Sequence, residues 1–289
     1  MTINLRIGGY QGPNSVHSRA MNDLIAHLHG REQAGQIDFR MNVTEDGQAA
    51  ADLPRMVGAG DLDLCYFSSS YLTSQIPALN SFEMPFGSGD RDQFYALLDG
   101  SAGQHARDEA AALSPYVVLG LWDNGVRHIS NRGAAIRSPS DCEGLRIRTL
   151  DNAFHQSVFR ALGFTPQTID VRDLANAVAT GEVDAQENPL TNIVNFDLHK
   201  YHRYVTLTAH FFGVALLLCN RTTYANWSGE QKRVMEDAAS HATSCQRRHA
   251  TEEDDRCLEV LKDDGVQITE LTLKERTAFV AAVSHLSPE

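Results

Sequence analysis

The chain has 289 residues, 42% of them hydrophobic and 21% charged, with a formal net charge of −12. That length suits two domains with separate cores. The acidic balance excludes a nucleic-acid binder, which needs basic patches to meet phosphates, and it opposes docking on an anionic membrane. No apolar run approaches the ~18 residues of a membrane helix.

Residues Met1 to Gly8 hold no charged segment followed by an apolar one. Two readings follow: a cytoplasmic chain, or a mature secreted chain whose leader has been cut off. Asn4 to Gly8 alternates and breaks at Gly8-Gly9, which predicts a strand entering a loop. Ser15 to Leu28 carries Val16, Ala20, Leu24 and Leu28 at helical spacing. Ile37 to Val43 reads as a strand, Ala49 to Ala59 as a helix stopped by Gly60, and Leu62 to Phe67 as a buried strand ahead of Ser68, Ser69 and Ser70. This rhythm is that of a parallel sheet with covering helices.

Arg91 to Ala112 is predicted helical, and Tyr116 to Trp122 a strand closed by Asp123-Asn124-Gly125. The βα alternation then restarts: strands at Leu145–Thr149, Thr165–Ile169 and Val183–Gln186, helices at Asn152–Leu162 and Val171–Thr180. Val205–Thr208 and Val214–Cys219 are further strands. Ser228-Gly229-Glu230-Gln231 has the form of a capping box and opens a polar helix running past Cys257. A helix that long is expected to cross between two domains. The expected division is 1–124 with 213–252, and 125–212 with 253–289.

Catalytic and metal signatures are weak. No GxSxG elbow is present, and Ser88 between Gly87 and Gly89 lacks the strand–Ser–helix setting. HEXXH is absent, and His199 and His202 in a polar turn read as surface histidines. The five cysteines form no CxxC, and Cys65 and Cys219 in apolar runs read as buried small hydrophobes. The loop Gly8 to Gly12 lacks a phosphate-binding motif, though its amides open a helix and can face an anion. No cofactor and no metal are expected.

The informative stretch runs from Leu119 to Pro189. Arg127 follows a strand, Arg148 ends Leu145-Arg146-Ile147-Arg148, and Asn188 lies before Pro189, which holds it extended. All three fall at strand ends where open α/β sheets bind ligands. An Arg fork meets a carboxylate with two parallel hydrogen bonds. A lone Arg reads best as an ordinary ion pair; two Arg and an Asn at successive strand ends read best as a carboxylate site. His210, between apolar segments, reads equally as a cleft residue or a hydrogen-bonded core histidine.

Gly120-Leu121-Trp122-Asp123-Asn124-Gly125-Val126-Arg127-His128-Ile129-Ser130-Asn131, Gly144-Leu145-Arg146-Ile147-Arg148 and Gly181-Glu182-Val183-Asp184-Ala185-Gln186-Glu187-Asn188-Pro189 resemble the solute-binding subunits of TRAP transporters, the DctP type. Asp61-Leu62-Asp63 and Glu83-Met84-Pro85-Phe86 also fit, while Ala185 stands where the family pattern has glycine. The resemblance spans nearly the whole chain. It implies a periplasmic, two-lobed α/β binding protein, each lobe a sheet flanked by helices, with a long helix spanning both lobes. It further implies a monomer that closes over a small organic acid and delivers it to membrane subunits, with no enzymatic turnover. It assigns the carboxylate salt bridge to Arg148, with Arg127 and Asn188 in support, and it puts Tyr10, Ser68, His210 and Phe211 where family pockets vary. Tyr10, Ser68, Ser69 and His210 lean toward a hydroxylated acid. A sensory binding protein of the same fold and a carboxylate-processing enzyme are the competing readings.

Overall fold

In the computed structural model, residues 2–87 and 90–288 are described, so Ser88 lies outside them. The chain begins with β1 (Ile3–Gly8), whose Ile3, Leu5 and Ile7 turn inward. It continues through α1 (Val16–His29), β2 (Ala34–Arg40), α2 (Leu53–Ala59) and β3 (Leu64–Ser68). The Ser15 hydroxyl accepts from the Ser18 amide and caps α1, which buries Val16, Ala20, Met21, Leu24 and Leu28. The stretch predicted as one helix from Arg91 is two, α3 (Arg91–Asp99) and α4 (Ser101–Leu113), because Gly100 is extended between them.

Next come β4 (Tyr116–Asn131), β5 (Arg146–Thr149), α5 (Ala153–Ala161), β6 (Thr165–Thr168), α6 (Val171–Thr180), β7 (Ala185–Pro189) and α7 (Leu190–Asn195). The chain then forms β8 (Tyr204–Asn220), α8 (Arg221–Asn226), α9 (Gly229–Asp263), β9 (Gln267–Glu270) and α10 (Leu273–Val283). Two expectations of short strands change here. Asp123-Asn124-Gly125 does not close a strand, since β4 runs on to Asn131. The two predicted strands near Val205 and Val214 are the single β8. Turn-forming residue types in mid-strand hid this continuity, because tertiary pairing overrides local propensity.

The chain divides into two compact units, and β4, β8 and α9 each pass from one to the other. The first holds the residues up to Ala78, Ala96–Asp123 and Val214–Glu252. Its strands run β2-β1-β3-β8, parallel except for the antiparallel β3–β8 pair, in register from Leu64 opposite Cys219 to Ser68 opposite Ala215. Helix α9 is tied to β4 in this unit. The Gln246 carboxamide accepts from the Asp123 amide at 2.8 Å and donates to its carbonyl at 2.6 Å, and Trp122 Nε1 donates to Thr243. The capping box forms as read: the Ser228 amide donates to Gln231 Oε1 and the Gln231 amide to Ser228 Oγ.

The second unit holds Leu79–Tyr95, Asn124–Gly213 and the residues from Glu253 onward. Its strands run β4-β7-β5-β6, with β9 parallel to the first half of β8. Ile129, Ile147, Val158, Phe159, Phe211 and Phe279 form one core, and Leu174, Val178, Val183, Leu190, Ile193 and Leu261 another. Residues 79–95, assigned above to the first lobe, fold with this unit. Phe86 packs in its core and donates its amide to the His210 carbonyl at 2.7 Å, and Phe94 stacks on Phe212 with ring centroids 3.9 Å apart. All five cysteines are buried thiols.

Candidate functional site

The second unit gathers its chemistry at one end of its sheet. Strands β5 and β7 are parallel, with Arg148 level with Gln186 and β7 running two residues beyond the end of β5, and antiparallel β4 brings Arg127 opposite Pro189 at the tip of β7. Gly125 makes this register possible. Its φ is +85°, and a Cβ there would sit 2.5 Å from the Pro189 Cβ. Arg148, in register with Gln186, is 1% exposed. Its Nε donates to the Ile169 carbonyl at 2.8 Å, and its buried Nη2 has no hydrogen-bond partner among the described residues. A buried guanidinium without an anion is costly, and an acid placed at Nη2 would offset that cost.

Arg127 is built differently. Its Nε lies 2.5 Å from Glu187 Oε2 and its Nη2 2.8 Å from Oε1, a forked pair inside the protein. Arg127 Nη2 also donates to the Glu187 carbonyl at 2.9 Å and to Asn188 Oδ1 at 3.4 Å. Asn188 in turn donates to Gln186, and Gln186 to Ser130, each at 2.6 Å. Asn188 and Arg127 are thus joined in one hydrogen-bonded chain. Burial pushes the Glu187 carboxyl up, but the Arg127 charge and the hydrogen bonds from His210 and Arg127 outweigh it and hold it well below the usual carboxylate range. Arg146, by contrast, forks onto Asp184 as an ordinary ion pair.

His210 bonds to Thr208 Oγ1 at 2.7 Å and to Glu187 Oε2 at 3.2 Å, with Phe159 and Phe211 edge-on to its ring. Burial lowers its pKa, against the pull of Glu187. His128, opposite Asn188, is pushed down to about 3, by burial first and then by His210. Phe211 lies flat on the His155 ring, centroids 4.0 Å apart, and His155 Nε2 meets Glu83 Oε2 at 2.5 Å.

Tyr10 and Ser68 belong to the first unit. The Tyr10 ring packs on Tyr66 and Phe67, and Ser68 closes β3. The amides of Tyr10 and Gln11 both donate to the Tyr66 hydroxyl, so that part of the glycine-bearing loop is satisfied internally rather than by an anion. Ser69 Oγ is buried without a hydrogen-bond partner among the described residues.

Sequence reasoning missed the roles of Glu187 and Glu83. Glu187 stood inside a quoted motif, and its proximity to Arg127 follows only from the β4–β7 register. Glu83 meets a histidine 72 positions away, a distance no spacing rule covers. His199 and His202, read as surface residues, are buried. His199 bonds to the Ile193 carbonyl and Asp264, and His202 to Ser130, because the turn folds under β4 and β9 begins beside it. Among the described residues no three His, Cys, Asp or Glu side chains are grouped to hold a metal ion.

A family model described as bacterial extracellular solute-binding protein, family 7, matches residues 7–289. The 2,3-diketo-L-gulonate-binding periplasmic protein YiaO of Escherichia coli K12 is 26% identical over 231 residues, covering 79% of this chain and 69% of that protein. A sugar acid binding protein from Advenella mimigardefordensis, solved with galactonate, superposes with a TM-score of 0.92 at 24% identity, over 98% of this chain and 91% of that one. A TRAP periplasmic solute binding protein from Polaromonas sp. JS666, bound to D-erythronate, gives 0.91 at 25% identity, over 98% and 92%.

Proposed function

The chain belongs to the bacterial extracellular solute-binding proteins of family 7, and from that premise we propose that it captures a small organic acid for a TRAP transporter through Arg148. The single observation that carries this reading is the buried Arg148 guanidinium, whose Nη2 has no hydrogen-bond partner among the described residues. A carboxylate supplies the missing charge and lone pairs together. Arg127 contributes through its orientation, since Glu187 already balances its charge, and Asn188 links it to the neighbouring strand.

Relatives carrying names such as 2,3-diketo-L-gulonate-binding and C4-dicarboxylate-binding protein support an acid as the ligand. No helix among the described residues is long and apolar enough to cross a membrane. The chain works outside the cytoplasm as a monomer, hands its acid to membrane subunits, binds no nucleic acid or cofactor and turns nothing over.

Thermal-shift screening against sugar acids, hydroxy acids and dicarboxylates tests this reading. A ligand at a hundred times its Kd adds about 2.7 kcal/mol to folded stability and raises Tm. A panel of acids that leaves Tm unmoved, with turnover of one of them instead, contradicts it.

A further inference from the structure

We propose that His155 is a second ligand-reading residue beside Arg148 and that it selects acids bearing a hydroxyl group, an inference that rests on the acid-binding reading above. Helix α5 leaves the end of β5 just past Arg148, and the Asn152 side chain caps it by accepting from the His155 amide at 2.9 Å. His155 therefore stands in the first turn of a helix that starts at the Arg148 end of the sheet. It is 1% exposed.

Two contacts fix its ring. Phe211 lies on one face, with an interplanar angle of 7°, and Glu83 Oε2 meets Nε2. An ionised carboxylate only accepts, so we assign the ring the tautomer with its proton on Nε2, in which Nδ1 presents a lone pair. That Nδ1 is buried and has no hydrogen-bond partner among the described residues. A buried acceptor left unmet is destabilising until a donor reaches it.

Among the described residues, Arg148 Nη2 and His155 Nδ1 are the two unmet nitrogens at this end of the sheet, a cationic donor and, in that tautomer, an acceptor. A carboxylate satisfies the first and a ligand hydroxyl the second. The other nitrogens of this unit without a partner among the described residues, Asn131 Nδ2 and His202 Nε2, lie at the far end, where Asn131 faces Ala185 and His202 bonds to Ser130. His210 cannot take the hydroxyl-reading part expected of it, because both its ring nitrogens already have partners in Thr208 and Glu187.

The test is calorimetric titration of the wild type and His155→Phe, which keeps an aromatic ring against Phe211. The probes are two pairs, D-erythronate with butyrate and D-galactonate with hexanoate. The wild type prefers the hydroxylated member of a pair by about tenfold or more, and His155→Phe lowers that ratio by about tenfold, the scale of one hydrogen bond. An equal ratio in both proteins overturns the proposal, as does a wild type that binds only butyrate, hexanoate or succinate. If the variant does not fold, 15N-histidine spectra of the wild type decide. An unprotonated ring-nitrogen resonance that moves with the hydroxy acid and not with its deoxy partner supports the proposal, and equal movement overturns it. Binding of no acid at all overturns the acid-binding reading itself, whereas Arg148-dependent binding with an unchanged ratio overturns this inference alone.

Discussion

Arg127 forks onto Glu187, with both carboxylate oxygens engaged at 2.5 and 2.8 Å, so the two charges cancel within the protein. Arg148 has no such partner among the described residues. Two arginines that look alike in sequence therefore do different things. One stiffens the strand ends, and the other is, in the proposed function, the charge that meets the ligand's carboxylate.

Replacing Glu187 with Gln leaves the buried Arg127 charge uncompensated. We expect a loss of about 3–5 kcal/mol of unfolding free energy, the scale for removing one partner of a buried pair. Urea unfolding measures it, and an unchanged midpoint with an unchanged slope contradicts the assignment.

Acid weakens the fold through buried histidines. His128 is pushed down to about 3 and His202 to about 4, in both cases by burial above all. Above pH ~6.5 both are neutral folded and unfolded, and their contribution is fully present. As pH falls from there toward 4, the unfolded chain takes up protons that the folded chain refuses, and each histidine removes about 1.4 kcal/mol per pH unit. Glu187, held low, extends the loss below pH ~4.3 in the same direction. Unfolding free energies between pH 7 and 4 should show this slope, with His210 adding to it because burial lowers it too, and a shallower slope in His128→Gln. A flat profile contradicts the burial of the neutral rings.

Gly125→Ala should cost about 2 kcal/mol or more. The positive φ disfavours any side chain, and the new Cβ meets Pro189 at 2.5 Å. Because Pro189 follows Asn188, acid affinity should fall together with the thermal midpoint. Retained affinity with only the midpoint lowered would detach this turn from the site.

Strand and helix positions were legible where hydrophobic period and punctuation agreed. Val171 to Thr180 is the helix its pattern predicts, and Asn4 to Gly8 lies on β1. Boundaries failed where tertiary pairing overrode local signals, as when β4 carried Asp123-Asn124-Gly125 through mid-strand. Arg148 was legible as a strand-end cation. Its lack of an ion pair was not, because Arg146 two residues earlier has the same local look and is paired with Asp184. Long-range partners decide such questions, and Glu83 with His155 or Arg127 with Glu187 can be recognised only once the register is known.

Arg148 provides the most direct test. Because its charge is buried without a counter-ion among the described residues, Arg148→Met should leave the ligand-free protein as stable as the wild type or more so, while Arg127→Met destabilises it. Calorimetric titration of Arg148→Met with the tightest-binding acid of the thermal screen measures the part Arg148 plays. The expected result is a loss of several kcal/mol of binding free energy, with Arg148→Lys also poor because the planar fork is gone. Wild-type affinity in a folded Arg148→Met protein would contradict it.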